Sequence, residues 1–346
     1  MIHASRRGPE ARGAAGDPLL MELRQFKYFV AIVDCGSLSR AAQQLYVAQS
    51  ALSKQMAELE SELQTQLLLR SRNGVAMTEA GKIFYEYAQG ITKQVNDARA
   101  AVHSAADTVS GTVVAALPQS VSPMIALPLM RAAARRYPEV VLHLNEELTG
   151  NMADQLLRGR VDMAVFSPTM PKEDIAFTPV VEEDFVLLES AQSNHVLPPG
   201  EVSVAQATAR PLVCPANAHG HCTRWPVDAA LEAPGHAPAR VAAEINSVYT
   251  LKAAVEAGLG PTIMPLGLAQ REVSEGRLVA HRVASPHMHR VLGLCVSVHL
   301  PTTNAKRAMF NLIAEVMRGL ADSGQWEGAR AIPAAPTRSA GARHTP

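Results

Sequence analysis

Apolar residues recur at helical spacing from the first ordered-looking stretch of the chain: Leu23, Phe26, Phe29, Val30 and Val33 form one stripe and predict an amphipathic helix. Gly36 ends it, and Ser37 supplies a hydroxyl to cap the next helix, in which Leu38, Ala41, Ala42 and Leu45 share a face. Tyr46-Val47-Ala48 interrupts the period. Leu52, Met56, Leu59 and Leu63 then resume it, with Gln49, Ser50, Ser53 and Lys54 on the opposite side. Two short extended runs follow around Ser71-Arg72-Asn73-Gly74, which reads as a hairpin turned at Asn-Gly. Thr78 caps a long helix. Along it Phe84, Ala88, Ile91, Val95, Ala98 and Val102 alternate steps of four and three, a heptad seam that predicts pairing with a second copy of the chain.

From Thr112 the pattern changes to alternating strands and helices. Thr112 to Leu117, Val140 to Leu144 and Asp162 to Phe166 read as strands, with helices from Ser122 to Tyr137 and Asn151 to Arg158 between them. This βαβαβ order predicts an α/β fold with a parallel, doubly wound sheet. A second set comprises strands at Phe185 to Leu188, Pro211 to Cys214, Val241 to Ile245 and Thr262 to Met264, and a helix from Ser247 to Ala257. A strand from Val291 to Val298 and a helix from Thr303 to Gly319 complete it.

Composition adds limits rather than identity. A chain of 346 residues that is 47% hydrophobic and has formal net charge zero is expected to be globular, with two or three domains. Residues 21 to 107 hold nine Lys/Arg and nine Asp/Glu, so any basic surface has to be local. Lys54, Arg70 and Arg72 lie close to the interrupted helix pair, and Glu58, Glu60 and Glu62 lie at its far end. Four cysteines form no disulfide framework. No apolar run is long enough to cross a membrane, and residues 1–20 lack a secretory core, so a cytoplasmic protein with a disordered N-terminal extension is expected, with Met21 a candidate start. Residues 321–346, rich in Ala, Gly, Pro and Arg, read as a disordered tail.

Two short helices joined by a tight turn, the second opening on amides, hydroxyls and a cation, fit a helix-turn-helix whose second helix reads base edges in the major groove. The same pattern is compatible with an ordinary helical hairpin carrying a solvated face. The hairpin after it, flanked by Arg70 and Arg72, fits the wing of a winged helix, placed to meet phosphate or the minor groove. Elsewhere, Cys214 and Cys222 with His219 and His221 between them admit a metal site, a thiol switch or a plain loop with unpaired thiols, the plain loop being the reading adopted. His281, His287 and His289 read as surface histidines. No phosphate-binding loop, nucleophile elbow or His-Glu-x-x-His is present, so no enzyme, cofactor or metal is expected.

The chain resembles the LysR-type transcriptional regulators. The resemblance rests on Leu23-Arg24-Gln25-Phe26-Lys27-Tyr28-Phe29, Gly36-Ser37-Leu38-Ser39-Arg40-Ala41-Ala42, Gln49-Ser50-Ala51-Leu52-Ser53-Lys54-Gln55, Leu67-Leu68-Leu69-Arg70 and Met77-Thr78-Glu79-Ala80-Gly81. Gly159-Arg160-Val161-Asp162-Met163-Ala164-Val165 and Ala257-Gly258-Leu259-Gly260-Pro261-Thr262-Ile263-Met264-Pro265 extend it into the second half. Residues 28–38 and Gly81-Lys82-Ile83 resemble the nitrogen assimilation control subgroup. The resemblance implies a winged helix-turn-helix over 21–77, a dimerising linker helix over 78–109, and a two-lobed effector domain similar to periplasmic binding proteins, lobe I at 112–181 and 286–320 and lobe II at 182–285. It also implies a dimer or tetramer on an inverted-repeat site in double-stranded promoter DNA, a small effector and contact with RNA polymerase. Carried over residue by residue, Gln49, Ser50, Ser53, Lys54, Arg70 and Arg72 would contact DNA. Helix starts at Gln119, Ser120, Thr149 and Ser247 would face the effector cleft and suit a small anion. Pro118-Gln119-Ser120-Val121-Ser122-Pro123 departs from the Thr/Ser-rich loop of effector-binding members, which leaves regulation by abundance as an alternative. The runner-up function is a solute-binding protein of the periplasmic type without DNA regulation.

Overall fold

The computed structural model describes residues 21–71, 74–103, 109–168, 173–216, 223–231 and 239–334. Arg72, His219, His221, Cys222 and the N-terminal extension therefore lie outside the described residues. The chain divides into two compact units, residues 1–94 and 95–346, and the division falls inside one long helix.

The first unit holds α1 (Leu23–Cys35), α2 (Leu38–Gln44), α3 (Gln49–Glu62), β1 (Leu68–Ser71), β2 (Gly74–Met77) and the first turns of α4 (Glu79–His103). Gly36 closes α1 in the left-handed region at φ 60°, and the Ser37 side chain accepts the Arg40 N–H to open α2. Tyr46 makes the turn to α3 at φ 55° and is 95% exposed. Phe29, Ile32, Ala41, Leu52, Met56 and Leu59 bury the inner faces of α1, α2 and α3 in one core.

Two glycines lock the wing to that core. Gly74, at φ 125°, lets Val75 donate its N–H to Gly36 O at 3.0 Å; a Cβ on Gly74 would lie 2.6 Å from the same oxygen. A Cβ on Gly81 would fall 2.1 Å from Leu67 O. The Gly81 N–H instead bonds to Thr78 Oγ1, which itself donates to Gln66 O. The Thr78-Glu79-Ala80-Gly81 motif is thus a close-approach device between the wing and the start of α4.

The first half of the predicted pairing seam is used internally. Ala88 is buried in the core of the first unit, Ile91 packs against it, and Phe84 stacks on Phe26 with ring centres 5.3 Å apart while meeting Phe29 edge-on. These α4 residues cover the otherwise open face of α1. A heptad period records an apolar stripe and does not say whether the stripe faces a neighbour or the chain itself. On α4 the exposed large apolar residues are Ile83, Tyr87 and Val102; Val102 and the exposed Ala98 belong to the predicted seam, and Ile83 and Tyr87 do not.

The second unit contains β3 (Gly111–Pro118), α5 (Ser122–Arg136), β4 (Val140–Glu147), α6 (Thr149–Leu157), β5 (Met163–Phe166), β6 (Ile175–Ser190), β7 (Glu201–Ser203), α7 (Val204–Ala207), β8 (Leu212–Pro215), α8 (Arg224–Leu231), β9 (Val241–Ile245), α9 (Val248–Glu256), β10 (Thr262–Pro265), α10 (Gln270–Ser274), β11 (Leu278–Ala284), β12 (His289–Ser297), α11 (Asn304–Asp322) and β13 (Ala329–Ala331). Strands β4, β3 and β5 run parallel, as expected. The sheet as a whole is mixed, because β12 runs antiparallel to β5 and to β6. The cause is the 16-residue β6, along which the chain leaves the first lobe, and β12, along which it returns. The first half of β6 pairs with β12, and its second half with β10 and β11. Pro179 and the acidic run Glu182-Glu183-Asp184 interrupt the apolar pattern of β6, which is why only its end reads as a strand in the sequence.

The expected tail from residue 321 is ordered through Ala334. After α11 the chain turns back, buries Trp326, and adds β13 to β6 in register with Val181 to Glu183. Arg330 pairs with Glu182 and Asp184, and Arg318 Nε donates to Ile332 O. One aromatic anchor and a three-residue strand outweigh a composition that looks disordered. Residues 335–346 lie outside the described residues.

Candidate nucleic-acid interface and ligand-binding domain

The first turn of α3 carries Gln49, Ser50, Ser53 and Lys54, the face opposite the buried Leu52, Met56 and Leu59. Gln49, Ser50 and Lys54 are exposed and Ser53 is half-buried. Ser39 Oγ on α2 donates to Gln49 Oε1 at 3.0 Å. Lys54 Nζ lies 3.7 Å from Glu58 one turn on, a solvent-screened pair that leaves the ammonium accessible.

Arg70 on β1 reaches α3 as well. Its Nη1 donates to Ser53 Oγ at 2.9 Å, and its Nη2 lies 3.8 Å from Glu60 Oε2. Glu60, placed by the sequence with Glu58 and Glu62 at the far end of the helix pair, also accepts the N–H groups of Leu67 and Leu68 with Oε1. The structure therefore brings Ser53, Arg70 and Glu60 together and makes Glu60 the link between recognition helix and wing. The sequence offered no signal for this beyond the acidic residue at that position.

The expected ligand residues are treated differently by the fold. Gln119 and Ser120 follow β3, Thr149 opens α6 after β4, and Ser247 caps α9 after β9 by accepting the Thr250 N–H. These are C-terminal ends of parallel strands, where doubly wound folds bind ligands. Ser120, however, is 1% exposed, and its Oγ accepts from Arg290 Nη1 at 3.0 Å. Arg290 also donates through Nε and Nη2 to Glu183 Oε2, at 2.9 and 2.7 Å, and stacks over Phe185. Trp326 Nε1 donates to the other carboxylate oxygen at 2.8 Å. Ser120 is thus an internal partner of the two crossover strands and is withdrawn from the ligand-facing set.

A second buried cluster was missed by sequence reading. Lys306 on α11 bonds to Asp97 on α4 at 2.8 Å and lies 2.8 Å from Asp162 Oδ1. Burial alone would lower the Lys306 pKa, and Asp162 with Asp97 more than reverses that, so the ammonium is held charged. The other Asp162 oxygen accepts the Val114 N–H, which explains the aspartate of the Gly-Arg-Val-Asp motif. A cavity of about 230 Å³ opens beside this cluster, walled by Met163, Val296, Leu300, Pro301 and Phe310.

Of the thiol and histidine groups, Cys214 is buried in the second lobe and its thiol is pushed up by burial, against the pull of Arg224. Cys295 is pushed up to about 12 by burial. Both are held as thiols. His281 is a correction: it is fully buried, with Nε2 3.1 Å from Glu189 Oε2, because it sits on the inward side of β11 where that strand pairs with β6. His287 is exposed and His289 half-buried. Among the described residues no His, Cys, Asp and Glu group is placed to hold a metal, and no helix is long and apolar enough to cross a membrane.

Comparison with known proteins agrees with this layout. Residues 23–82 match the family model for the bacterial regulatory helix-turn-helix protein of the lysR family, and residues 106–318 match the LysR substrate binding domain. The nitrogen assimilation regulatory protein nac of Klebsiella aerogenes is 35% identical over 278 residues, covering 80% of this chain and 89% of that protein. Its counterpart from Escherichia coli strain K12 is 32% identical over 309 residues, covering 89% of this chain and 99% of the relative. In fold, the chain is similar to a full-length OxyR variant from Pseudomonas aeruginosa, with a TM-score of 0.64 at 21% identity over 87% of this chain and 95% of that one. It is similar to the same degree to full-length CbnR solved with its target DNA, with a TM-score of 0.63 at 21% identity over 86% and 100% of the two chains. A helix-turn-helix with its wing, joined through α4 to a two-lobed substrate-binding domain, places this chain in the LysR family of DNA-binding transcriptional regulators.

Proposed function

We propose that a homo-oligomer of this chain grips an inverted-repeat promoter site in the cytoplasm through the first turn of α3, and that a small anion held between the two lobes changes its grip. The observation that carries the reading is the exposed set Gln49, Ser50 and Lys54 on a helix whose other face is fully buried. Such a helix presents its start to a major groove without cost to its own core. Arg70 adds the wing contact together with its hold on Ser53. Gln119, Thr149 and Ser247 remain the candidate anion-facing positions, each at a strand end that leads into a helix. An effector acts by binding two lobe arrangements unequally, and RNA polymerase is the partner that senses the result. The nac relatives make promoters of nitrogen assimilation genes the first to try.

Lys54→Ala tests the reading. In a gel-shift titration on DNA flanking its own gene, it is expected to weaken binding and to reduce the slope of log affinity against log salt by about 2, as loss of one phosphate contact in each half-site of an inverted repeat requires. An unchanged slope and affinity would remove α3 from the interface.

Pairing of copies is assigned to the exposed side of α4, through Ile83, Tyr87, Ala98 and Val102. The internal packing of Phe84, Ala88 and Ile91 supports this shift of the seam. Ile83→Glu combined with Ala98→Glu is expected to halve the mass seen by light scattering, since two charges on a pairing stripe leave carboxylates facing apolar surface. A mass equal to that of the unmodified protein would show that pairing lies elsewhere.

A further inference from the structure

Two hydrogen bonds determine what the first turn of α3 offers to a base pair. The Gln49 amide oxygen accepts from Ser39 Oγ at 3.0 Å, so that oxygen is turned back toward α2 and the amide NH2 points away from it. Ser53 Oγ accepts from Arg70 Nη1 at 2.9 Å, so its own hydroxyl hydrogen is directed elsewhere. Lys54 adds an ammonium, which only donates. At Gln49 and Ser53 the helix start therefore presents donors, with the acceptor oxygen of each engaged from behind, while the exposed Ser50 hydroxyl keeps both roles. Ser39 and Arg70 lie outside the reading turn itself, one on α2 and one on β1.

We propose that Ser39 and Arg70 are positioning residues that set the base preference of α3: opposite Gln49 the protein selects an edge bearing acceptors, guanine O6 and N7 or thymine O4, and rejects adenine. The inference rests on the reading of α3 as the DNA-contacting helix. Adenine is ordinarily read by an amide in bidentate fashion, the oxygen accepting from N6 while the nitrogen donates to N7. With the Gln49 oxygen turned toward Ser39, adenine keeps only the bond from the amide NH2 to N7, and its amino group finds no acceptor at Gln49. Guanine and thymine present acceptors to the free NH2 and incur no such loss. Arg70 completes the arrangement by keeping the neighbouring Ser53 a donor as well. Arg70 itself is anchored by Glu60, which is fixed by the Leu67 and Leu68 N–H groups.

The test is a selection of binding sites from random duplexes with the full-length protein, run in parallel for the unmodified chain, Ser39→Ala, Ser39→Thr and Gln49→Ala. Gln49→Ala identifies the base pair that Gln49 reads, as the position whose preference collapses. At that position the unmodified protein is expected to select guanine or thymine. Ser39→Ala, at an exposed position, frees the amide to turn and is expected to shift the preference toward adenine by about tenfold, with other positions unchanged. Ser39→Thr keeps the hydroxyl and is expected to keep the original preference, which a general loosening of the domain would not produce. Replacing the selected guanine by 7-deazaguanine, or the selected thymine by 4-thiothymine, is expected to weaken the unmodified protein and leave Gln49→Ala indifferent. Adenine selected by the unmodified chain, or an identical preference in Ser39→Ala, would overturn the proposal while leaving α3 as the reading helix. Failure of the unmodified chain to select any sequence would overturn both.

Discussion

Arg290→Ala is expected to destabilise the second unit by about 3–5 kcal/mol, the cost of leaving one member of a buried ion pair uncompensated. Both side chains of the Arg290–Glu183 pair are at 0% exposure. The guanidinium makes two bonds to one carboxylate oxygen and two to Ser120, at its Oγ and its backbone oxygen, so alanine removes four charge-assisted or polar bonds at once. What remains is a carboxylate out of water, supported at the other oxygen by the Trp326 indole. Urea unfolding followed by circular dichroism measures the effect. The double replacement Arg290→Met with Glu183→Leu is expected to recover part of the loss, because a matched apolar pair removes the stranded charge but leaves the buried Trp326 N–H without its acceptor. A single-variant loss below about 1 kcal/mol would mean that water reaches the pair and screens it as it screens an exposed one.

The position of this pair explains the size of the expected effect. Glu183 lies on β6 and Arg290 on β12, the two strands by which the chain leaves one lobe and returns to it, and Ser120 begins the connection after β3. One network therefore ties both crossovers to the first lobe. It also accounts for the fate of Ser120, which a sequence reader assigns to a ligand because a serine before a helix looks like an anion site. A hydroxyl at a strand end can serve a ligand or a buried cation from elsewhere in the chain. Arg290 is 170 residues away and carries no local signal of that role.

In the N-terminal unit, by contrast, the elements follow one another in space as they do in sequence, and their apolar stripes, caps and breaks are local. Gly36, Ser37, Leu52, Met56 and Leu59 stand where their spacing puts them. The same locality makes Gln49, Ser50 and Lys54 legible as an exposed set. Less legible is what holds that set in place: Ser39 reaching Gln49, Arg70 reaching Ser53, and Glu60 holding the wing. These are pairings between elements, and periodicity within one element is silent about them. The α4 seam is a related case. Its period is plain in the sequence, and the surface its first half packs against is not contained in the period.

In the second unit the local elements of βαβαβ were legible and the mixed sheet was not. Strand direction for β12 depends on which strand it returns beside, a fact set by the whole chain path. Lys306, Asp97 and Asp162 make the same point in charges. Each is an unremarkable residue of its own element, and together they form a buried triad that joins the C-terminal part of α4 to α11. Removal of Lys306 leaves two carboxylates without their shared cation at a site with little solvent, whereas removal of either aspartate leaves a one-to-one pair.

Trp326→Ala is expected to cost the second unit about 3–5 kcal/mol, as large buried aromatics do when truncated. The indole is among the largest fully buried side chains, and it packs so closely on the 3-10 turn at residues 266–269 that a Cβ on Gly267 would lie 2.9 Å from its ring. It holds Glu183 on one side and that turn of the second lobe on the other, while β13 just after it pairs with β6. Trp326→Phe separates these contributions. It keeps most of the packing and deletes the N–H to Glu183, so it is expected to cost about 1.5–3 kcal/mol, the range for a hydrogen bond to a charged group. A chain ending at Ser323 loses the aromatic, the strand and the Arg330 pairs together and is expected to be the least stable of the three. Because the protein has two tryptophans and Trp225 is 56% exposed, a Trp225→Phe background makes the emission report on Trp326 alone. In that background the emission should be blue-shifted and resistant to acrylamide, and its loss in urea should coincide with the circular dichroism transition. Equal unfolding midpoints for Trp326→Phe and Trp326→Ala would mean that packing adds nothing to the hydrogen bond. A truncated chain as stable as the full one would reduce residues 324–334 to passengers on β6, and the order would then come from β6 alone.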